Sequence, residues 1–172
     1  TWSSSENKGV RASHSIADGQ KLYCEITCSN VGGTYGVLPT LVETTIAVDA
    51  EWHSVTGVCG WRKDGAFSGF GTNTTEAAYT NGTIIGFAVT RSGSTVKAYV
   101  HKNGTYVIGG AATSTPNPST GANPNGTYTI GNPINMGCSQ RDGTSVVTAN
   151  FGASSFSYAV PTDFSAGWGA AK

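Results

Sequence analysis

Asn81-Gly82-Thr83-Ile84-Ile85-Gly86-Phe87-Ala88-Val89-Thr90, then Arg91-Ser92-Gly93-Ser94, then Thr95-Val96-Lys97-Ala98-Tyr99-Val100, reads as two β-strands joined by a tight turn. Both runs are rich in β-branched and aromatic residues, and the break between them carries the Gly and Ser of a hairpin. Outward from this pair the chain repeats the theme. Asp18-Gly19, Asp64-Gly65, Asn81-Gly82, Asn103-Gly104, Asn125-Gly126 and Asp142-Gly143 are dipeptides suited to the type I′ turn, which needs positive φ at both central residues. Residues 9–16 read as an early strand, 21–28 as an alternating central strand, and 38–48 as a third. Residues 56–61 turn at Asp64-Gly65 and return through 66–70, while 127–130, 134–138 and 146–151 supply the remaining strands. No segment of ten or more residues has helical periodicity. The expectation is an all-β chain folded as an antiparallel β-sandwich in one domain over residues 1–172. Within it, 111–126 holds Pro116, Pro118 and Pro124 among small polar residues, with no charge and no aromatic. That stretch reads as a long exposed loop.

Composition narrows the function classes. Ten basic and ten acidic residues cancel, and charged residues make up 12% of the chain against roughly 25% in an average globular protein. No basic stripe is present to hold phosphates, which argues against nucleic-acid partners. Solubility therefore rests on Ser, Thr, Asn and glycine, a surface common on extracellular and particle-borne adhesive modules. The longest apolar run, 84–89, is far too short to cross a bilayer, so no membrane insertion is expected.

The four cysteines do not form a disulfide framework by spacing. Cys24 and Cys28 share one face of a strand, which at ~3.3 Å per residue separates them by about 13 Å, too far to bridge or to share a zinc ion. Cys59 and Cys138 also lie in apolar strand contexts, with one bridge from either to a neighbouring strand left open. The expectation is four buried free thiols acting as small hydrophobes.

Catalytic and metal chemistry find little support. A glycosidase needs two carboxylates converging across a cleft, and the one close pair is Asp49 with Glu51, which Glu43 is too distant to complete. That pair reads as a solvated strand end. His14, His53 and His101 lie far apart, with no metal-ligand spacing. No Gly-x-Ser-x-Gly elbow is present. No glycine-rich loop leads into a helix to cradle phosphate. No single loop gathers oxygen ligands for calcium. Neither a cofactor nor a metal is assigned. Asn-x-Thr triplets begin at Asn73, Asn81, Asn103 and Asn125; three of these are Asn-Gly turns, and the turn reading explains them without a glycan.

Two stretches go beyond fold class. The first is 81–89 with 95–104, including His101-Lys102-Asn103-Gly104; the second is Val146-Val147-Thr148-Ala149-Asn150-Phe151-Gly152 followed by Phe156, Tyr158, Pro161 and Phe164. In that order they resemble the SPRY domain, particularly the variety found in bacteriophage structural and tail-fibre proteins. Residues 21–26 look like the family's early strand, with Cys24 where an aromatic is usual, and Gly60-Trp61 with Asp64-Gly65 looks like its central hairpin. The resemblance runs from about residue 9 to 168. The chain departs from the pattern at 81–83, where an acidic residue is usual, at Arg91-Ser92-Gly93, and in the long 111–126 loop. The resemblance implies a concanavalin A-like sandwich that binds rather than catalyses.

Aromatics are the best binding candidates, because a sugar offers C–H groups to an aromatic face and hydroxyls to polar side chains. Strand context and the family pattern assign Trp61, Phe87, Tyr99, Phe151, Phe156 and Phe164 to the core. Trp52, His53, Arg62, Tyr79 and Tyr106 are expected to be exposed at turns and to form the ligand-binding set. The leading functional expectation is a noncatalytic module of a bacteriophage particle, in a tail or capsid fibre, adhering to host-surface glycan through loops at one edge of the sandwich. The alternatives are a decoration domain contacting other virion proteins and a cellular protein-recognition SPRY domain. Adhesion through weak sites implies display in several copies.

Overall fold

The computed structural model describes residues 2–4, 8–49, 52, 53, 55–141 and 143–168, with 2–4 as backbone alone. Among them there is no helix, and the fold is a sandwich of two sheets. The larger sheet runs in the order β1 (Trp2–Ser4), β13 (Ser145–Asn150), β3 (Lys21–Val31), β8 (Thr83–Ser92), β9 (Thr95–Lys102), β10 (Thr105–Tyr106). A further strand, β11 (Gly126–Thr129), pairs with β9, and β14 (Ser165–Ala166) runs parallel to the start of β3. The smaller sheet runs β2 (Lys8–Ser15), β12 (Ile134–Gln140), β4 (Val37–Glu43), β5 (Val58–Trp61), β6 (Ala66–Gly69), β7 (Thr72–Thr75). Apart from β14, every pairing is antiparallel.

Alternation decides what lies between the sheets. Leu22, Cys24, Ile26 and Cys28 of β3 point inward with Ile85, Phe87 and Val89 of β8 and Val96, Ala98 and Val100 of β9. They meet Val37 and Leu41 of β4, Met136 and Cys138 of β12, and Trp61 and Phe67 of the β5–β6 hairpin. All four cysteines are free and buried. Burial in this apolar layer pushes their thiols up, that of Cys28 to about 12.

The hairpin dipeptides are less uniform than expected. Among the described residues only Asn103-Gly104 has positive φ at both positions, 50° and 81°, as a type I′ turn requires. At Asp18-Gly19, Asp64-Gly65 and Asn81-Gly82 the glycine alone does, and Asp142 lies outside the described residues. Asn125-Gly126 is not a hairpin turn at all. Gly126 opens β11, and the fully buried Asn125 side chain accepts a bond from Val100 N–H and donates to the carbonyls of Val107 and Gly109.

The 111–126 loop keeps most of its residues exposed, and it is anchored at a few buried points. Ala112, Pro116 and Pro118 are buried, Ala111 N–H bonds the Asn125 carbonyl, and Asn117 and Ala122 exchange backbone bonds. The third strand is also shorter than 38–48. It ends at Glu43, and beyond it Ile46, Trp52 and Val55 pack on the outer face of the smaller sheet.

Candidate functional site

The outer face of the larger sheet carries three cross-strand rows. Lys21, Thr90 and Lys97 form the first; Tyr23, Ala88 and Tyr99 the second; Glu25, Gly86 and His101 the third. The central strand β8 contributes only small residues, so a trough runs along it between two walls of longer side chains. Two of the three rows are filled. Phe164 packs on Tyr23, Ala88 and Tyr99, with Phe156, Val160 and Tyr106 around them. Tyr158 and Tyr106 stand edge-on to His101, at 5.3 and 5.4 Å between ring centroids.

The third row is a sealed hydrogen-bond chain. Glu25, 2% exposed, accepts from Ser157 N–H and Tyr158 N–H, both at 2.9 Å, and from the Tyr23 hydroxyl at 2.9 Å. It thus clamps the segment that crosses the trough. Gly104 N–H donates to His101 Nδ1, so the proton of the neutral ring sits on Nε2 and is donated to the Tyr23 oxygen at 2.7 Å. Burial holds the His101 imidazolium form off, lowering its pKa from 6.5 to about 4 despite the nearby Glu25. The carboxyl–phenol–imidazole order resembles an acid–base relay, with Tyr23 fully buried and His101 2% exposed beneath the crossing segment.

The first row stays open. Where the crossing segment ends, Lys21, Thr90 and Lys97 floor a basin of about 410 Å³, inside the roughly 300–1,000 Å³ of small-molecule sites. The turn Pro118–Gly121 of the anchored loop forms one wall and the β8–β9 turn another. Thr162 N–H donates to Ser119 Oγ, which fastens that loop wall to the crossing segment. Arg91 is held in place by the carbonyls of Ile16 and Gly93. The Tyr99 hydroxyl faces this loop, is fully buried, and has no hydrogen-bond partner among the described residues. The sequence signal for the basin is the register of three strands, which a strand-by-strand reading does not supply.

No protein-family model matches the chain, and no curated protein sequence matches it. Solved structures do. A human SPRY domain superposes with a TM-score of 0.58 at 14% identity, covering 88% of this chain and 88% of that one. The fold is that of SPRY domains. The SPRY domain of human HERC1 superposes with a TM-score of 0.59 at 12% identity, covering 84% of this chain and 83% of that one.

On this SPRY sandwich the five expected binding residues fall in three separate places. Trp52 is fully buried, a correction to its expected exposure. Its ring lies over Gly9 and Gly137 on the outer face of the smaller sheet, and its Nε1 donates to the Ala47 carbonyl at 2.7 Å. His53 beside it is half-buried. Arg62 and Tyr79 are likewise buried rather than exposed, at the far end of the sandwich from the basin. Arg62 makes a bidentate bond to Asp64, at 2.9 and 2.8 Å, and lies over the Tyr35 ring. Burial raises the Asp64 carboxyl, but these bonds and that from Ala66 N–H outweigh it and hold its pKa below the usual value. The Tyr79 hydroxyl donates to the carbonyls of Val37 and Trp61. Tyr106 is half-buried against His101. Of the other two acidic candidates, Asp49 is exposed and Glu51 lies outside the described residues. Tyr99, assigned to the core by its strand, is fully buried there, with its hydroxyl beneath the Gly121 turn that borders the basin.

Proposed function

We propose that this SPRY sandwich is a noncatalytic binding module that adheres to glycan, carried in several copies on a bacteriophage particle in a tail or capsid fibre. The observation that carries the binding reading is the basin, where side-chain hydroxyls and a buried, unpartnered Tyr99 hydroxyl surround a space the size of one or two sugar rings. Its walls are tied by hydrogen bonds, so little ordering entropy is lost on binding. The sealing of Glu25 and His101 away from solvent supports a role without turnover. The resemblance of 81–104 and 146–164 to phage SPRY domains supports the particle setting. A second reading is recognition of another protein, in a virion or a cell, and the likeness to SPRY domains of human proteins supports it.

A multivalent display of the chain on a glycan array and on host cells, with the supernatant analysed for released sugar, tests the proposal. The expected result is retention of a defined glycan class with no sugar released. Thr120→Trp, placed at the exposed rim of the basin, should abolish retention and leave the melting temperature unchanged. Tight attachment to another virion protein with no glycan retained would install the second reading, and released sugar would make the chain a hydrolase.

A further inference from the structure

Among the described residues the basin's lining includes Lys21, Arg91 and Lys97, with two carboxylates beside it: Asp163, 4.0 Å from Lys21, and Asp18, which accepts from Gly93 N–H in the β8–β9 turn. Lys21 and Lys97 flank Thr90 in one row, which places their strands about 10 Å apart, two strand spacings. The Lys21 ammonium has one loose ion pair, to Asp163 at 4.0 Å, with both side chains well exposed. Lys97 makes no hydrogen bond or ion pair among the described residues. Arg91 alternates away from that row, opposite the inward Val96, and its guanidinium donates to the carbonyls of Ile16 and Gly93.

Beside these cations lies the Tyr99 hydroxyl, fully buried and unpartnered among the described residues. A buried hydroxyl left without a partner is costly, and native structures give such groups one. Burial raises the phenol's pKa, so it is a neutral donor and acceptor at every physiological pH. The basin therefore offers two unlike contacts: the Lys21 and Lys97 ammonium groups at the floor, and one desolvated hydroxyl beneath the loop wall.

We infer that the basin takes a carboxylate-bearing sugar, a uronic acid or a similar acidic residue, with the carboxylate between Lys21 and Lys97 and a ring hydroxyl on Tyr99. The inference rests on the glycan reading above and narrows it to acidic glycans. A compact inorganic anion satisfies the cations but leaves the Tyr99 hydroxyl unmet, whereas a neutral sugar does the reverse. An acidic sugar meets both. Ammonium groups at an exposed site give a modest, salt-screened preference, so the expected discrimination is roughly ten-fold rather than absolute.

The test uses two sugar pairs that differ only at C6, methyl glucuronoside against methyl glucoside and methyl galacturonoside against methyl galactoside, with inorganic phosphate as a third probe. Each is titrated into the labelled chain while the backbone amides of the basin are followed by NMR. The expected result is that at least one uronoside binds about ten-fold more tightly than its neutral partner at low salt. That margin should close at high salt, vanish in Lys97→Ala, and persist in Tyr99→Phe, where both members of the pair weaken together. Equal binding of a pair overturns the acidic-sugar inference and leaves the glycan reading intact. Phosphate binding as tightly as the uronosides shows a general anion site and overturns the sugar assignment. No shift at the basin with any of the four sugars overturns both.

Discussion

Gly86 and His101 occupy neighbouring positions of one row, and the imidazole lies flat over the glycine, so that any Cβ at residue 86 would collide with Nε2. Gly86→Ala is expected to destabilise the fold by roughly 1–3 kcal/mol through overpacking. Urea denaturation of the single and double variants with His101→Ala should give a coupling well above zero; additive effects would show that the ring is not seated as described. The same imidazole sets a pH dependence. Its folded pKa, about 4, lies below the ordinary 6.5, so the unfolded chain binds the proton more readily. The stability this contributes is fully present above pH 6.5 and is lost as pH falls toward 4, amounting to roughly 3 kcal/mol. Protonation at Nδ1 also sets two donors against each other, because Gly104 N–H already points there. In His101→Gln the unfolding free energy measured between pH 6.5 and 4 should fall less steeply than in the parent; an unchanged slope would remove His101 from the account. Neither Gly86 nor His101 is marked as a pair by local sequence, since fifteen residues and a turn separate them and only the β8–β9 register brings them together.

Elements that cover the outer faces explain most of what strand reading missed. Trp52 follows acidic residues and precedes His53 and reads as a surface aromatic, yet it packs with Ile46 and Val55 on Leu38, Val42 and Val58 of the smaller sheet, its ring over Gly9 and Gly137. Alternation describes the strands and is silent about what a connecting loop lays across them. Trp52→Ala is accordingly expected to cost roughly 3–5 kcal/mol in thermal or urea unfolding, the same range as Trp61→Ala; a near-silent Trp52→Ala would contradict the covered face. Asn125 makes the matching point for the 111–126 loop. Its side chain replaces strand bonds for three backbone groups, two of them buried and that of Val107 half-buried, so Asn125→Ala should cost roughly 1–3 kcal/mol. Hydrogen exchange at Val100 and Ala111 should accelerate in that variant, and unaltered protection would show that other contacts hold the loop. By contrast, the β8–β9 hairpin and the alternation of β3 were legible because burial on both faces of those strands and a short turn leave their residue types little choice.

At the scale of the whole molecule, the sandwich follows from period-2 alternation and glycine-marked turns, and the SPRY likeness follows from the order in which these occur. Four inward cysteines belong to the same pattern. Native protein should therefore show no thiol that reacts with an aromatic disulfide reagent at neutral pH, and four after denaturation without reductant; any fewer after denaturation would mean a bridge. The basin was not legible in the same way, because its floor comes from β3, β8 and β9 and its wall from a loop about twenty residues further along the chain. Aromatic residues chosen by proximity to turns scatter to both outer faces and the far end of the sandwich, whereas the trough along β8 gathers cations and a hydroxyl that no contiguous stretch displays. The central claim is that a glycan binds in that trough, unchanged by the encounter. The most direct measurement is a crystal structure of the chain grown with the glycan that the array retains. The account predicts an intact sugar over the Lys21–Thr90–Lys97 row with a hydroxyl within hydrogen-bond distance of Tyr99; a sugar bound instead at the far end beside Tyr35 and Arg62, or a cleaved one in the trough, would contradict it.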